Sequence, residues 1–224
     1  MDKIISSDLV EMLVHNLKGH TLLKDANNGK YLDANDTHVA VYGLDKPAEL
    51  IGYTVHDLNN LMSQMWHDNA QQVVAFEEQV LLTGKPVIHP RRVWLNANGY
   101  VWAHHMSKFP VIGTNNTTTA ILSLGEDLTR YLSLQELYQY YLFFYKNKRF
   151  AITKFMEHLN IKNLFHEIPP NSEIMVLITK AKLHLNKAVA LHLKLELSTV
   201  ESYINQLGKK TPDLINVINV LRLW

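Results

Sequence analysis

The stretch that most constrains the fold is residues 186–210, which reads as two short helices joined by a tight connection. In the first helix, Val189 and Leu193 lie four residues apart and therefore share one face. The second helix has a narrow apolar stripe at Val200, Ile204 and Leu207. Its opposite face carries the hydroxyl, amide and amino groups of Ser202, Asn205, Gln206 and Lys209. That face is free to contact another molecule.

The start of the second helix is predicted by a capping pattern. Ser198 and Glu201 match a capping box, in which the hydroxyl accepts from the N3 amide and the carboxylate accepts from the N-cap amide. We therefore expect this helix to begin near Ser198. Two helices joined by a short turn, with a polar face on the second, form the helix-turn-helix that lays a recognition helix in the DNA major groove.

The spacing of this segment resembles the LuxR-type helix-turn-helix. The residues in register are Asn186, Lys187, Val189, Ala190, Leu193, Leu195, Thr199, Val200, Glu201 and Tyr203. The sequence departs from the pattern at Ala188, usually acidic, at Lys194, usually glycine, at Glu196, usually Ser or Thr, and at Leu183-His184-Leu185, usually Gly-Leu-Ser.

A DNA-binding role would divide the polar side chains into two groups. Ser202, Asn205 and Glu201 would reach base edges, since Asn suits adenine and Glu can accept from cytosine. Glu201 is also explained by capping alone, and Gln206 lies on the same face. The phosphate contacts would come from Lys187, Lys194, Thr199, Tyr203, Lys209 and Lys210. Because this face has no arginine, one copy alone should bind DNA weakly. We therefore expect a twofold dimer that reads two half-sites about 34 Å apart.

Composition bounds the compartment and the chemistry. The 224 residues include no cysteine, which excludes disulfides, thiolate zinc sites, thiol nucleophiles and flavin-thiol photochemistry. No apolar run approaches the roughly 20 residues of a membrane span, and residues 1–19 lack the basic, apolar-centred pattern of a signal peptide. We expect a cytoplasmic protein without membrane contact. Residues 1–150 carry 13 Lys+Arg against 15 Asp+Glu, whereas residues 151–224 carry 9 against 6, a mild sign of a nucleic-acid partner.

The first half of the chain predicts an antiparallel sheet with helices. An Asn27-Asn28-Gly29 turn between apolar runs predicts a hairpin over residues 20–35. Short, interrupted helical pieces over residues 36–64 and a helix over residues 69–82 follow. Three further strands are expected at residues 87–95, 100–110 and 120–124.

This element order, over residues 17–131, resembles a PAS domain. The matching residues are Lys24-Asp25, Gly29-Lys30-Tyr31-Leu32, Asn35, Gly43, Ile51-Gly52, Thr83-Gly84-Lys85-Pro86, Lys108-Phe109-Pro110 and Gly125-Glu126-Asp127-Leu128-Thr129. The resemblance implies a signal-receiving or dimerising module, with a small-molecule ligand sometimes held between the sheet and the helices. No cofactor is required by the sequence. The fold class is therefore α+β, a five-stranded PAS domain followed by an all-α, four-helix helix-turn-helix domain.

Four segments are expected. Residues 1–16 form an N-terminal segment with an amphipathic helix, and residues 17–131 form the sensor domain. The apolar stripe of this helix, read from Ile4 to Leu17, consists of Ile5, Leu9, Leu13 and Leu17. Residues 132–168 form a helical linker, and residues 169–224 form the DNA-binding domain. Its helices would be capped by Asn171 or Ser172, by Asn186 and by Thr211 ahead of Pro212.

A tyrosine-rich stripe is the candidate dimer seam. One helix from Leu128 onward places Tyr131, Leu134, Tyr138, Tyr141 and Tyr145 at alternating intervals of three and four. The stripe would pair with a second copy or pack on the chain's own sheet, and the sequence leaves both open.

Other chemistry is disfavoured. The twelve histidines lack the paired spacing of a zinc site, and adjacent His104 and His105 would point to opposite faces of a strand. One haem-ligating histidine in the sensor domain stays open. Trp94, Tyr100 and Trp102 could line a pocket, although core packing is the commoner role. No phosphate-cradling loop or nucleophile–base pair is present, so we expect no enzyme.

Two functions from different classes follow. The first is a DNA-binding transcriptional regulator with a sensory or dimerising PAS domain. The alternative is a module that makes protein–protein contacts through its PAS domain and carries a degenerate helical domain that does not bind DNA.

Overall fold

The computed structural model describes residues 7–224, apart from the side chains of residues 7–9 and 63–65. The chain forms two compact units, residues 1–129 and residues 130–224. They are called here the sheet unit and the helical unit. No helix within residues 7–224 is both long and apolar enough to span a bilayer.

The described residues of the sheet unit, 7–129, contain four α-helices and five strands. In chain order they are α1 Ser7–Asn16, β1 His20–Asp25, β2 Tyr31–Ala34, α2 Asp36–Val39, α3 Val55–Trp66, α4 Asn69–Thr83, β3 Val87–Leu95, β4 Val101–Ile112 and β5 Thr118–Asp127. The helical unit contains α5 Leu134–Phe144, α6 Lys148–His158, α7 Asn171–Leu183, α8 Asn186–Leu193, α9 Leu197–Gly208 and α10 Leu214–Arg222. Short 3₁₀ turns lie at Ala40–Tyr42, Pro47–Glu49, Thr129–Tyr131 and Lys162–Leu164.

The five strands form one antiparallel sheet in the order β2-β1-β5-β4-β3. With α2, α3 and α4 inserted between β2 and β3, this is the arrangement of a PAS domain. The predicted α+β class and the five strands are confirmed. Gly19 is required where β1 enters the sheet, because a Cβ at this position would lie 2.3 Å from the carbonyl oxygen of Gly125.

The two faces of the sheet are covered by different helices. Val10 and Val14 of α1 pack with Leu122 against one face. The predicted stripe of this helix was wrong in part, because α1 ends at Asn16 and Leu17 is exposed. Ile5 lies outside the described residues. The opposite face meets α2, α3 and α4 and encloses a polar interior.

Helix α3 is longer than the sequence predicted. Thr54 caps it, and a capping box with Asp57 starts a helix of twelve residues where only short pieces were expected. The pattern Thr-x-x-Asp was present in the sequence and is the signal that could have located this helix.

The helical unit has one core that includes the predicted linker. Tyr138 and Tyr141 of α5 are fully buried, and their rings pack against Phe155 of α6. The Tyr138 hydroxyl donates to Asn171 Oδ1 at 2.7 Å, and the Tyr141 hydroxyl lies 2.6 Å from His158 Nδ1. Helices α5 and α6 are therefore part of this unit, and residues 132–168 do not form a separate linker.

The tyrosine seam is corrected by the same contacts. The helix begins at Leu134, capped by Ser133, rather than at Leu128. Tyr138 and Tyr141 face the core of their own chain, so these two side chains cannot meet a second copy. Of the remaining members, Tyr131 is exposed, while Leu134 and Tyr145 are half-buried.

Three predicted helix caps were wrong. In two of them the side chain binds another group, and in the third the helix starts later. Helix α7 begins at Asn171, whose side chain accepts from Tyr138 instead of capping. Helix α8 begins at Asn186, whose Oδ1 accepts from Lys180 Nζ at 2.6 Å. Helix α10 is capped by Asp213, two residues after Thr211.

Replacing Tyr141 by Phe tests the contact that joins α5 to α6. We expect the free energy of unfolding of the helical unit to fall by about 0.5–1.5 kcal/mol, because a buried hydrogen bond is lost while the ring is kept. Urea denaturation followed by far-UV circular dichroism measures the change. Tyr131→Phe, at a tyrosine that is 63% exposed, is the control and should leave stability unaltered. Equal stability of Tyr141→Phe and the parent chain would contradict this role.

Candidate functional site

The helix-turn-helix predicted by the sequence is formed by α8, the turn Lys194–Glu196 and α9. The two helices pack through Val189, Ala190 and Val200, with Val176 of α7 beneath them. Leu207 is buried and Ile204 packs at the edge of this core. The three predicted anchors of α9 therefore lie on its inner side.

Helix α9 begins near Ser198, as predicted, but Ser198 is not its N-cap. Glu196 occupies the N-cap and makes no side-chain cap, and Leu197 is the first helical residue. Ser198 consequently lies inside the first turn, where it cannot act as the N-cap partner of Glu201. Glu201 therefore takes no part in a capping box, and its side chain is exposed on the outer surface of α9.

The outer face of α9 carries the predicted polar side chains. Ser202, Asn205, Gln206 and Lys209 are all exposed. Gln206 Nε2 donates weakly to Ser202 Oγ at 3.4 Å, which leaves both groups accessible to a partner. Thr199 and Tyr203 are half-buried at the margins, and Tyr203 packs on the core of the unit.

The predicted phosphate-binding lysines do not share one environment. Lys187 and Lys194 are exposed, and Lys194 closes α8 in the left-handed conformation, φ 55° and ψ 44°. This is the position where the family pattern has glycine, which adopts this conformation without steric cost. Lys210 binds both carboxylate oxygens of buried Glu173 at 3.0 and 3.1 Å. It is a structural cation, so its predicted phosphate contact is not supported.

The sheet unit contains a second candidate site, an ion cluster between α4 and the sheet. Glu77 of α4 accepts from Lys24 of β1 at 2.8 and 2.9 Å and from Lys108 of β4 at 2.8 Å. Lys108 also contacts Ser123 Oγ of β5 at 3.3 Å. One carboxylate thus joins a helix to the central strands. Glu77 gives no signal in the sequence, because a single acidic residue in an amphipathic helix normally faces solvent.

A third buried cation, Arg92, enters the same interior from β3. Its guanidinium lies 3.8 Å from the ring centre of Trp94 and 4.8 Å from that of Phe76. It donates to two neutral acceptors, Asn69 Oδ1 at 3.0 Å and Gln72 Oε1 at 3.4 Å. No carboxylate among the described residues lies within ion-pair distance of it.

A β-bulge decides that Arg92 rather than Arg91 is inside. The pairing of β3 with β4 shifts register between His89 and Arg92. The side chains of Val87 and His89 point inward at every second residue, as expected for a strand. The extra residue of the bulge shifts this alternation by one, so that Arg91 is exposed and Arg92 is buried. Pro90 is the sequence signal, because proline within a strand is confined to edges and bulges.

Aromatic rings and histidines line the rest of the interior around a cavity of about 30 Å³. The rings of Trp102 and His104 stack at 3.8 Å, and the ring of Trp94 lies 5.1 Å from that of His104. The lining side chains are Leu22, Tyr31, His38, Tyr42, Trp66, Asn69, Val73, Glu77, Arg92, Trp94, Trp102, His104, Met106 and Lys108. Trp94 and Trp102 therefore serve as core and as cavity wall together. The cavity has space for about two water molecules, which is far too small for the haem that the sequence left open.

Burial sets the protonation of this interior. It lowers the pKa of Lys24 to about 8, against the opposing effect of Glu77, and lowers the pKa of Arg92 to about 9. Burial would raise the pKa of Glu77, but Lys108 and Lys24 hold that pKa below its ordinary value. Burial also holds the pKa of His38 and of His104 well below the ordinary value. Among the described residues no three His, Asp or Glu side chains are placed to hold a metal ion.

Comparison with known proteins found matches only among solved structures. No protein-family model and no curated protein matches the sequence. A ligand and DNA complex of Vibrio cholera VqmA is 18% identical, with 96% of this chain and 86% of that chain covered and a TM-score of 0.46. A complex of a phage VqmA with DPO is 16% identical, covering 93% and 83%, with a TM-score of 0.44. The PAS domain of Bordetella pertussis BvgS is 17% identical, covering 55% and 85%, with a TM-score of 0.45.

Two substitutions in the ion cluster should differ in their effect on stability. Glu77→Gln leaves two buried ammonium groups without a carboxylate, and we expect a loss of about 3–5 kcal/mol in the free energy of unfolding. Lys24→Met keeps the pair between Lys108 and Glu77 and removes a buried charge, so stability should be equal or higher. Urea denaturation at neutral pH, followed by tryptophan fluorescence, measures both. Equal losses in the two variants would contradict the cluster as described.

Acid should destabilise the sheet unit through its buried histidines. Because the folded-state pKa of His20, His38 and His104 is below that of the unfolded chain, the unfolded state binds more protons as the pH falls below about 6.5. The free energy of unfolding should then fall by up to about 1.4 kcal/mol per pH unit for each histidine. Denaturation at several pH values between about 6.5 and 4.5 measures the slope.

A variant pair assigns that slope. His104→Gln should remove the contribution of one histidine, whereas His56→Gln, at an exposed position on α3, is the matched control and should keep the full slope. A slope that stays the same in His104→Gln would show that His104 is not among the groups responsible.

Proposed function

We propose that the protein is a DNA-binding transcriptional regulator whose sheet unit receives a small-molecule signal. The observation that carries the proposal is the outer face of α9. Ser202, Asn205, Gln206 and Lys209 stand exposed on a helix that begins after a three-residue turn and is anchored by Val200 and Leu207 beneath. This is the geometry of a recognition helix.

The charge distribution supports a nucleic-acid partner for the helical unit. At the boundary between the units, residues 1–129 carry 9 Lys+Arg against 14 Asp+Glu, a net charge of −5. Residues 130–224 carry 13 against 7, a net charge of +6. The charge difference is larger than for a division at residue 150, because that division assigns α5 and the first residues of α6 to the wrong unit. The net positive charge of the helical unit, in a chain whose sheet unit is acidic, favours DNA contact by the helical unit.

Base recognition would fall to amide and hydroxyl groups. Asn205 can make paired hydrogen bonds to adenine N6 and N7, and Ser202 can contact either strand. Glu201 would accept from cytosine N4. Phosphate contacts would come from Lys187, Lys194 and Lys209, with Thr199 and Tyr203 at the margins of the helix.

A homodimer goes with this proposal. Three exposed lysines in each copy give few phosphate contacts, and Glu196 and Glu201 oppose part of their charge. Two copies on half-sites about 34 Å apart would double the contacts and predict a palindromic operator. Since Tyr138 and Tyr141 are buried, a partner copy would instead meet Phe143, which α5 leaves 79% exposed. A cytoplasmic location belongs to the same proposal.

The alternative, a protein-interaction module, is favoured by one observation. Leu185, the N-cap residue of α8, and Leu191, in its last turn, are 70% and 82% exposed. Aliphatic side chains beside a recognition helix form neither hydrogen bonds nor ion pairs with phosphates. A protein partner would instead remove them from water. DNA retention distinguishes the two functions.

Salt-dependent DNA binding tests the proposal. The full chain is used to select duplexes from a random-sequence library, and fluorescence anisotropy then measures their affinity at several salt concentrations. Three lysine contacts per copy, and therefore six for the homodimer, correspond to a slope of about −5.4 in log K against log salt. Lys209→Ala removes one contact from each copy, so it should make the slope shallower by about 1.8 and weaken binding to all sequences alike. Asn205→Ala should cost about 1–3 kcal/mol on the selected sequence only.

Matched controls lie outside the helix-turn-helix. Lys148→Ala on α6 and Asn163→Ala in the 3₁₀ turn before α7 replace exposed residues of the same types. Both should bind as the parent chain does. If the parent chain enriches no sequence and retains no duplex at low salt, the regulator is excluded and the interaction module is favoured.

A further inference from the structure

The interior of the sheet unit holds more positive charge than its own carboxylate can balance. Lys24, Lys108 and Arg92 face one carboxylate, that of Glu77, and all four residues are more than nine-tenths buried. Glu77 is shared by the two lysines. Among the described residues, Arg92 donates only to amide oxygens and lies against aromatic rings, and the carboxylates of Asp68 and Glu77 act on it from beyond ion-pair distance. A buried cation without a counter-charge is costly in any fold.

Hydrogen-bond donors of the same interior are also left without acceptors. The indole N–H groups of Trp66, Trp94 and Trp102 have no partner among the described residues. The same holds for Asn69 Nδ2 and Arg92 Nε. These five side chains all line the cavity, and each of the five groups can only donate.

The histidines of the cavity do not supply the missing acceptors. His38 and His104 each have an Nδ1 atom without a partner. A neutral imidazole offers either an N–H or a lone pair at that atom, so it can complete a hydrogen bond but cannot balance charge. Two waters could accept from the donors and would likewise leave the charge of Arg92 uncompensated. An acceptor that is also negatively charged satisfies both demands.

We propose that this cavity binds a compact oxyanion, a carboxylate or a group of similar shape with about three or four heavy atoms. The volume of about 30 Å³ has room for roughly two water molecules, whose places the two oxygens of a carboxylate would take. Arg92 supplies the charge, and the indole N–H groups and Asn69 supply the neutral donors. The inference rests on the sensory part of the proposed function and names the chemical class of its signal.

Binding of small anions to the full chain tests the inference. Sodium formate, acetate and nitrate are titrated at constant ionic strength against sodium gluconate, whose anion exceeds the cavity. Formamide and acetamide serve as neutral probes of the same shape. We expect at least one of the three anions to raise the melting temperature and change tryptophan emission in a saturable way, and the amides to do neither. Calorimetric titration gives the affinity.

Two variants locate the site. Arg92→Gln should weaken anion binding about tenfold to a hundredfold, because a charged hydrogen-bond donor is lost. Arg91→Gln, the next residue on the same strand and exposed to solvent, is the matched control and should bind as the parent chain does. Trp94→Phe keeps an aromatic ring but removes an indole donor, and it should weaken binding severalfold even if Arg92→Gln does not fold.

The outcomes separate this inference from the regulator. It is overturned if none of the three anions gives a saturable response, if formamide binds as well as formate, or if binding is unchanged in both Arg92→Gln and Trp94→Phe. DNA retention is measured on the same samples. Anion binding without DNA retention would sink only the regulator, and DNA retention without anion binding would sink only this inference.

Discussion

The sheet unit depends on one carboxylate, that of Glu77, which α4 presents to three adjacent strands. Lys24 of β1, Ser123 of β5 and Lys108 of β4 meet around it. Desolvating such a group costs several kcal/mol, so an apolar contact of the same volume would hold the helix at least as well. What the carboxylate adds is position, since α4 can rotate or slide only by leaving two ammonium groups unpaired. The same cluster places a surplus of positive charge beside the cavity.

The parts of this unit that could be predicted are those encoded by short-range patterns. Alternating apolar residues and Asn-Gly turns located the five strands, and β3 was predicted with its observed ends at Val87 and Leu95. The interior was not predicted, because its polar residues come from separate elements and meet only in the fold. Arg92 is the clearest case. A one-residue bulge turns it inward, and strict alternation would have placed Arg91 there.

The helical unit shows a different limit. The intervals of four and three between apolar residues correctly predicted that Val200 and Leu207 lie on the buried face of α9. They also predicted that its polar side chains lie on the exposed face. Caps were mistaken because the side chains that favour them also bind distant groups. Asn171 accepts from Tyr138, 33 residues away along the chain, and Asn186 accepts from Lys180. Lys210 is held by Glu173 in the same manner. A local pattern therefore predicts that a helix exists more securely than which side chain ends it.

The two units use positive charge under opposite physical conditions. On α8 and α9 the lysines are solvated, so their attraction for an anion is weak in each pair and screened beyond a Debye length of about 8–10 Å. Around the cavity, Arg92 and Lys108 are removed from water, where the same attraction is several times stronger and little affected by salt. A rise in ionic strength should thus loosen a polyanion from the surface while a buried oxyanion stays bound. Salt concentration alone would then separate the contribution of one unit from that of the other, without any change to the chain.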